Sequence, residues 1–222
     1  FKCKMTILGD REQTMDGDQQ DVLTFLPKIF GKDIRRIVMN KSYRNTIEIA
    51  SYANKLAGIT EVELFERHGK PVEEKEFTGL TEALERVVKE LRLEKQTVAE
   101  ADEDMPENAA SETDGTETGE ELSYETAAVI TRTADEAREA YYILQKKLEA
   151  EGFDTKERLS LLHRDSTNFK KGLTVTTFYM AKGLEFDQVF GVFPKKENPM
   201  TGQAKYICAT RAMHELYMYE RA

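Results

Sequence analysis

Four short polar stretches stand out because their residue types suit the binding of an anion. In chain order they are GDREQ at 9–13, YRNT at 43–46, KGLEF at 182–186 and ATRA at 209–212. Their candidate ligands are Gln13, Arg44, Lys182 and Arg211. Cationic side chains near a glycine-bearing turn favour a bound phosphate. Each stretch alone is typical of a turn, an element end or a solvated helix face, so the prediction depends on all four and their order.

The elements that must position these stretches alternate between strands and helices. Buried strands are predicted at TAAVIT, GLTVTTF and FDQVFGVF, with helices at 46–57, 80–95, 134–151 and 203–213. This alternation predicts an α/β fold with a largely parallel sheet flanked by helices. Ligands in such folds bind at the carboxyl ends of strands. We therefore expect the four polar stretches to converge on one crevice at that edge.

Three local predictions can be checked directly against the structure. KMTILGD predicts a short strand that ends at a Gly-Asp turn, and Asn45 or Thr46 is expected to cap a helix that stops at Gly58. The segment from 61 to 77 is typical of a hairpin that turns at His68, Gly69 and Lys70.

The distribution of charge is uneven along the chain. The net charge is −9, yet ten acidic residues and no Lys or Arg lie between Thr97 and Ser123, which leaves the rest near neutral. A nucleic-acid partner is therefore not excluded by charge. The acidic stretch lacks aromatic residues, so it cannot bury enough apolar surface to offset its ordering entropy. We interpret 97–123 as a solvated, disordered linker.

The two cysteines and the lengths of the apolar runs indicate the cellular compartment. Cys3 and Cys208 lie far apart and form no ligand cluster, so no metal site is predicted and a reducing cytoplasm is expected. No apolar run approaches the length of a membrane span, and no signal peptide is visible. The first residue is Phe1, in the middle of an expected strand, and we interpret the chain as a piece of a longer protein.

The order of the four motifs resembles a known family. GDxxQ, YR[SN]T, T-x4-KGLEF and Y-[IV]-x-x-TRA look like the third to sixth motifs of superfamily 1 DNA helicases of the UvrD/Rep/PcrA type. The spacing and the short insert are most similar to the helicase IV (HelD-like) branch. The resemblance covers nearly the whole chain except the acidic linker.

The resemblance implies that ATP lies between two RecA-like domains and that this chain is mainly the second. Residues 1–18 would end the first domain, 19–96 and 124–222 would form the second, and 97–123 would be the linker. Gln13 would sense the γ-phosphate and the attacking water. Arg44 and Arg211 would contact the γ-phosphate, with Arg211 as the arginine finger. Tyr43 would stack on adenine, Glu185 would accept a hydrogen bond from the ribose, and Gly183 would allow close backbone approach.

The resemblance also implies a nucleic-acid track. Thr177, Tyr179 and Arg132 would lie on it, which makes the segment around KGLEF a coupling turn between ATP and nucleic acid. Tyr179 stands where the family often has His, so this contact departs from the pattern. Asp16 and Asp18 lie near positions where the family has base-stacking aromatics.

The function expected from the resemblance is the second motor domain of an ATP-dependent DNA helicase. The sequence contains no GxxxxGK[ST] phosphate loop, so this chain by itself should not hydrolyse ATP, and Mg²⁺ would be held mainly by the first domain. One alternative is a HelD-like ATPase that remodels RNA polymerase, which would account for Asp16 and Asp18. Another is a degenerate domain that only binds a partner.

Overall fold

The computed structural model describes most of the chain outside the acidic stretch. The described residues are 5–9, 22–31, 35, 37, 41–60, 63–64, 66–93, 123–164, 166, 171–196 and 200–222. Gln13, Asp16, Asp18 and nearly all of the predicted linker therefore lie outside the described residues, as does most of DIRRIVMN at 33–40, whose alternating pattern predicts a strand. No helix in the described part is both long and apolar enough to cross a bilayer.

Seven helices and eight strands are seen in the described residues. The helices are α1 (Val22–Phe30), α2 (Ile47–Ala57), α3 (Leu80–Glu90), α4 (Ala134–Ala150), α5 (Thr155–Arg158), α6 (Phe178–Ala181) and α7 (Thr201–Ala209). The strands are β1 (Lys41–Ser42), β2 (Glu63–Leu64), β3 (Glu73–Phe77), β4 (Thr126–Thr131), β5 (Leu159–Leu161), β6 (Gly172–Thr177), β7 (Phe186–Pro194) and β8 (Ala212–Arg221).

The main sheet has six strands in the order β3-β8-β7-β4-β6-β5, and every neighbouring pair is parallel. The register aligns Thr131 at the end of β4 with Thr177 at the end of β6. It aligns Phe186 at the start of β7 with Ala212 at the start of β8. The strands therefore share an amino edge and a carboxyl edge, which are roughly 20 Å apart for six residues at about 3.3 Å each.

Helices cover both faces of this sheet. Side chains of α3 and α4 pack on one face around Val129, Val175 and Phe190. Side chains of α2, α6 and α7 pack on the other around Ile130, Val189 and Phe193. Because both faces are covered, β4, β6 and β7 are buried almost continuously, including polar residues such as Thr174, Thr176 and Gln188. The predicted α/β class, with a RecA-like parallel sheet between helices, is confirmed.

The ends of α2 follow from local sequence. The side chain of Thr46 accepts a hydrogen bond from the backbone amide of Ile49, which satisfies a free donor of the first turn. Gly58 ends the helix at φ 65°, in the left-handed region that favours glycine. Of the two predicted amino-terminal caps, Asn45 and Thr46, the structure has Thr46, and the predicted end at Gly58 is confirmed.

Two local predictions are wrong. Residues 5–9 form no strand. The predicted hairpin is absent, because β2 pairs with β1 whereas β3 pairs in parallel with β8, with Glu73 opposite Tyr217. As the edge strand beside the distant β8, β3 packs the Phe77 ring against the Tyr219 ring. A local hairpin would not provide this contact.

Candidate functional site

The predicted site residues divide between the two edges of the sheet. Glu185 directly precedes β7 and Arg211 directly precedes β8, so both lie at the amino edge. The expectation that all four motifs meet at the carboxyl ends of strands is therefore wrong. The loops that enter β7 and β8 carry the cations, because the KGLEF and ATRA motifs come before their strands.

Arg211 is the most deeply buried charged side chain of the amino edge. It is 2% exposed, and its guanidinium donates to the Leu184 carbonyl (3.2 Å), the Ile207 carbonyl (3.3 Å) and the Thr210 hydroxyl (3.0 Å). All these acceptors are neutral. Burial, and then the nearby charge of Arg44, lower the pKa of Arg211, while the charge of Glu185 opposes this shift.

Arg44 and Glu185 form an ion pair next to Arg211, between Arg44 Nε and Glu185 Oε1. Both side chains are about two-fifths exposed, at 41% and 43%. The segments that carry Arg44 and Arg211 meet where the Asn45 side chain donates to the Ala212 carbonyl, 167 residues away, and the Arg44–Glu185 ion pair lies at this junction. Such a cluster is suited to a multiply charged anion, because two guanidiniums can each donate to several anionic oxygens.

Two residues that sequence reasoning missed join the loops carrying these arginines. Arg67 Nη2 donates to the Arg44 carbonyl and to the Met213 carbonyl (2.6 Å). The Asn45 side chain donates to the Ala212 carbonyl at 2.6 Å. The sequence marked Asn45 by its place inside YRNT and as a possible cap of α2, whereas nothing local marked Arg67, which lies in the wrongly predicted hairpin. We call Arg67 and Asn45 the amino-edge clamp.

Tyr43 and Gly183 border the arginine cluster along the chain. The Tyr43 side chain is 64% exposed, so its ring face is accessible from solvent. Gly183 has φ 88°, and a Cβ added there would meet no atom within 4 Å. Glycine is therefore favoured at this position because the backbone is left-handed there, and not because another part of the protein approaches it closely.

Thr177 and Tyr179 lie at the opposite, carboxyl edge. Thr177 ends β6 and caps the short helix α6, with its hydroxyl accepting from the Met180 amide (3.4 Å). The Tyr179 ring packs 4.0 Å from the Phe178 ring and remains partly exposed, with its hydroxyl 3.7 Å from Met200 Sδ. These two residues present one hydroxyl and one ring at this edge.

Arg132 follows β4 at the same carboxyl edge. Its backbone amide donates to Glu136 Oε2 (3.1 Å), and its side-chain Nε is buried without a hydrogen-bond partner. Glu136 also accepts from the Thr133 amide (3.0 Å) and from Arg221 Nη2 (2.7 Å). We call Glu136 the carboxyl-edge clamp, because it joins the start of α4 to the end of β8.

The segment from 178 to 185 connects the two groups of residues. It leaves β6 at the carboxyl edge and enters β7 at the amino edge, with Phe178 and Ala181 buried in the core between. Gln13 lies outside the described residues, so the structure does not place it. Among the residues that the structure describes, no three His, Cys, Asp or Glu side chains gather as a metal site.

Comparisons with known proteins show a distant likeness to solved structures. No protein-family model and no curated protein matches the chain. Among solved structures, the chain is similar to the C-terminal domain of a possible DNA helicase from Lactobacillus plantarum WCFS1. The identity is 18%, the TM-score is 0.49, and the match covers 81% of this chain and 87% of that one. At this score the likeness carries no argument about activity, so the roles below depend on this chain's own residues.

Proposed function

We propose that this chain is the second motor domain of an ATP-dependent helicase of superfamily 1 type. In this role its amino edge completes an ATP site whose phosphate loop belongs to another domain. The observation that supports the proposal is the cluster of Arg44, Arg211 and Glu185. Two guanidiniums repel each other, so holding them together at a partly exposed site favours a ligand with several negative charges.

The residues around the cluster fit a nucleoside triphosphate. Arg44 is partly exposed and can reach outward with its planar fork. Tyr43 offers an exposed ring next to it, which suits stacking on a base without hydrogen-bond readout. Arg211 faces inward, so it would exchange its bonds to Leu184 and Thr210 for oxygens of the terminal phosphate. There it would stabilise the charge that develops during phosphoryl transfer.

The remaining parts of such a site come from outside the described residues. The sequence has no phosphate loop, and the described residues hold no metal-binding cluster, so Mg²⁺ and the phosphates would be held mainly by the first RecA-like domain. Gln13 keeps its proposed role as the sensor of the γ-phosphate and attacking water. Hydrolysis then requires both domains.

The carboxyl edge is the proposed nucleic-acid side. Thr177 and Tyr179 offer a hydroxyl and a ring, and Arg132 adds a cation to the same edge. Hydroxyl and guanidinium groups are common phosphate ligands, whereas an aromatic ring stacks on any base. The 178–185 segment would transmit movement between this edge and the ATP cluster.

The deciding experiment measures ATP turnover in the protein that joins this chain to its phosphate-loop domain. Arg211→Ala is expected to lower kcat by about 10³, the usual scale for an arginine finger, while ATP affinity stays within a few-fold. Arg211→Lys should restore little, because an ammonium lacks the two-pronged geometry of a guanidinium.

The matched control is Arg138→Ala, which removes an exposed arginine of α4 paired only with the neighbouring Asp135. It should leave turnover unchanged. Near-native turnover in Arg211→Lys, with the urea midpoint of the parent, would remove Arg211 from the mechanism and the main support for this function.

Remodelling of RNA polymerase remains the alternative role of the same motor. The residues that favour it, Asp16 and Asp18, lie outside the described residues. Strand separation measured on a partly duplex DNA distinguishes the two roles. Unwinding that depends on Arg211 supports the helicase, whereas ATP turnover without unwinding favours the remodelling ATPase.

A further inference from the structure

The carboxylate of Glu185 occupies the position where an anionic ligand of the arginine cluster would bind. It pairs with Arg44 Nε, and its charge also acts on Arg211. The other hydrogen bonds of Arg211 go to two backbone carbonyls and a hydroxyl, all of them uncharged. Glu185 therefore supplies the negative charge to this pair of guanidiniums in the structure.

A carboxylate and a phosphate compete for the same face of a guanidinium. Glu185 contacts Arg44 at Nε, so a ligand phosphate can form two parallel N–H bonds with the face of Arg44 that includes Nε only after Glu185 has released it. A carboxylate that stayed nearby would also repel the incoming charge. At an exposed site this repulsion is moderate, and salt weakens it.

We propose that Glu185 is a built-in competitor that must be displaced from Arg44 before a polyphosphate binds. The inference deepens the proposed function and rests on it, because it assumes that Arg44 and Arg211 form the polyphosphate site. Its consequence is a charge threshold: a ligand with three or four negative charges displaces the carboxylate, and a singly charged anion does not.

The backbone around Glu185 is compatible with this displacement. Glu185 lies between the left-handed Gly183, which has open space around its Cα, and the start of β7. Leu184 links the residue that pairs with Arg44 to Arg211, because the Leu184 carbonyl accepts a hydrogen bond from Arg211 Nη1. Release of Arg44 by Glu185 and release of the Leu184 carbonyl by Arg211 would therefore involve the same three-residue stretch.

The role implied by the family resemblance makes the opposite prediction for one substitution. If Glu185 only accepts a hydrogen bond from a ribose hydroxyl, Glu185→Gln should weaken ATP and leave inorganic triphosphate unaffected. If Glu185 competes with the phosphates, Glu185→Gln should tighten both ligands. Glutamine has nearly the same size, so the change isolates the charge.

The test is calorimetric titration of the 222-residue chain with inorganic triphosphate and with ATP, at 20 mM and at 150 mM salt. Glu185→Gln is expected to bind both probes about tenfold more tightly at low salt and only a few-fold more tightly at high salt, since screening weakens the repulsion that was removed. Arg44→Ala should lose at least tenfold in affinity for both probes, and Arg211→Ala should lose a few-fold, as expected for ATP in the two-domain protein.

The matched control is Glu125→Gln. Glu125 directly precedes β4 at the same amino edge, but it pairs with Lys171 (2.8 Å) instead of an arginine of the cluster. It should leave triphosphate affinity unchanged, apart from the small general effect of one lost negative charge. Urea midpoints for all variants confirm that each is folded during the titration.

The outcomes separate this inference from the function on which it depends. If the arginine variants lose affinity but Glu185→Gln binds triphosphate no more tightly than the parent, the competitor role is wrong and the polyphosphate site stands. If the arginine variants bind like the parent, the site itself is wrong. If neither the parent nor Glu185→Gln binds triphosphate at millimolar concentration in low salt, the competitor role is overturned, and turnover of the two-domain protein still tests the function.

Discussion

At the amino edge of the sheet a guanidinium, Arg67, donates to the backbone carbonyls of Arg44 and of Met213 in β8. At the carboxyl edge a carboxylate, Glu136, accepts from two backbone amides and from Arg221. The first arrangement adds a cation to an edge that already has Arg44 and Arg211. The second arrangement neutralises the charge of Arg221 at the carboxyl edge. The amino-edge clamp therefore adds positive charge to its edge, whereas the carboxyl-edge clamp adds a carboxylate that pairs with Arg221.

This difference matches the charge of the two proposed ligands. A nucleoside triphosphate concentrates several charges within a few ångströms, so it suits the cluster of guanidiniums at the amino edge. A single strand of nucleic acid carries one charge per nucleotide and an exposed base. The hydroxyl of Thr177, the ring of Tyr179 and the cation Arg132 at the carboxyl edge suit this more dilute charge.

Among the substitutions that test this difference between the edges, Arg67→Ala at the amino edge is expected to have the largest effect on stability. The substitution removes the donor for two carbonyls, so we expect the free energy of unfolding to fall by about 2–3 kcal/mol. Arg67→Lys should recover roughly half, since one ammonium reaches both carbonyls less well than a fixed fork. Urea denaturation of the 222-residue chain measures both.

The control for this prediction is again Arg138→Ala, an exposed arginine whose loss should change stability by less than about 0.5 kcal/mol. An Arg67→Ala variant as stable as this control would mean that Arg67 does not hold the two segments together.

A smaller effect is expected from Glu136→Ala at the carboxyl edge. The side chain completes a capping box with Thr133, so its loss should lower the free energy of unfolding by about 1–2 kcal/mol. Glu136→Gln should lose about half as much, because glutamine keeps an acceptor for the amides but not the charge that pairs with Arg221. The same urea experiment measures this pair.

The triphosphate affinity of the same variants tests whether only the amino-edge clamp supports the polyphosphate site. Arg67→Ala should weaken triphosphate binding as well as stability, whereas Glu136→Ala should change stability alone. Equal losses of triphosphate affinity in both variants would contradict the division of ligands between the two edges.

The smallest effect expected is that of Arg132→Ala on nucleic-acid binding by the two-domain protein. Removal of one phosphate contact should weaken binding of a single-stranded oligonucleotide a few-fold and lower the slope of log K against log salt by about 0.7. Arg44→Ala should leave that slope unchanged, because Arg44 lies at the other edge. A fluorescence-anisotropy titration at several salt concentrations measures both variants, and equal slopes in the parent and Arg132→Ala would remove Arg132 from the track.

Local sequence was sufficient where the responsible contacts are local. Thr46 and Gly58 define the ends of α2 through hydrogen bonds within four residues, so their types alone identify the caps. The apolar runs of β4, β6 and β7 predict buried strands because the sheet is covered on both faces. The pairing of YRNT, KGLEF and ATRA with an anion site was likewise predicted from residue types and motif order, and it remains a prediction.

Tertiary structure decided which residues face one another. The sequence order of Glu185 and Arg211 relative to their strands was visible, yet the edge at which they meet Arg44 depends on the register of β7 and β8. The chain from 61 to 77 has hairpin-like chemistry, but Phe77 gains burial only beside the distant β8. Arg67 bridges carbonyls 23 and 146 residues away. Burial and hydrogen bonding between distant segments set these contacts, and no local pattern encodes them because their partners lie far along the chain.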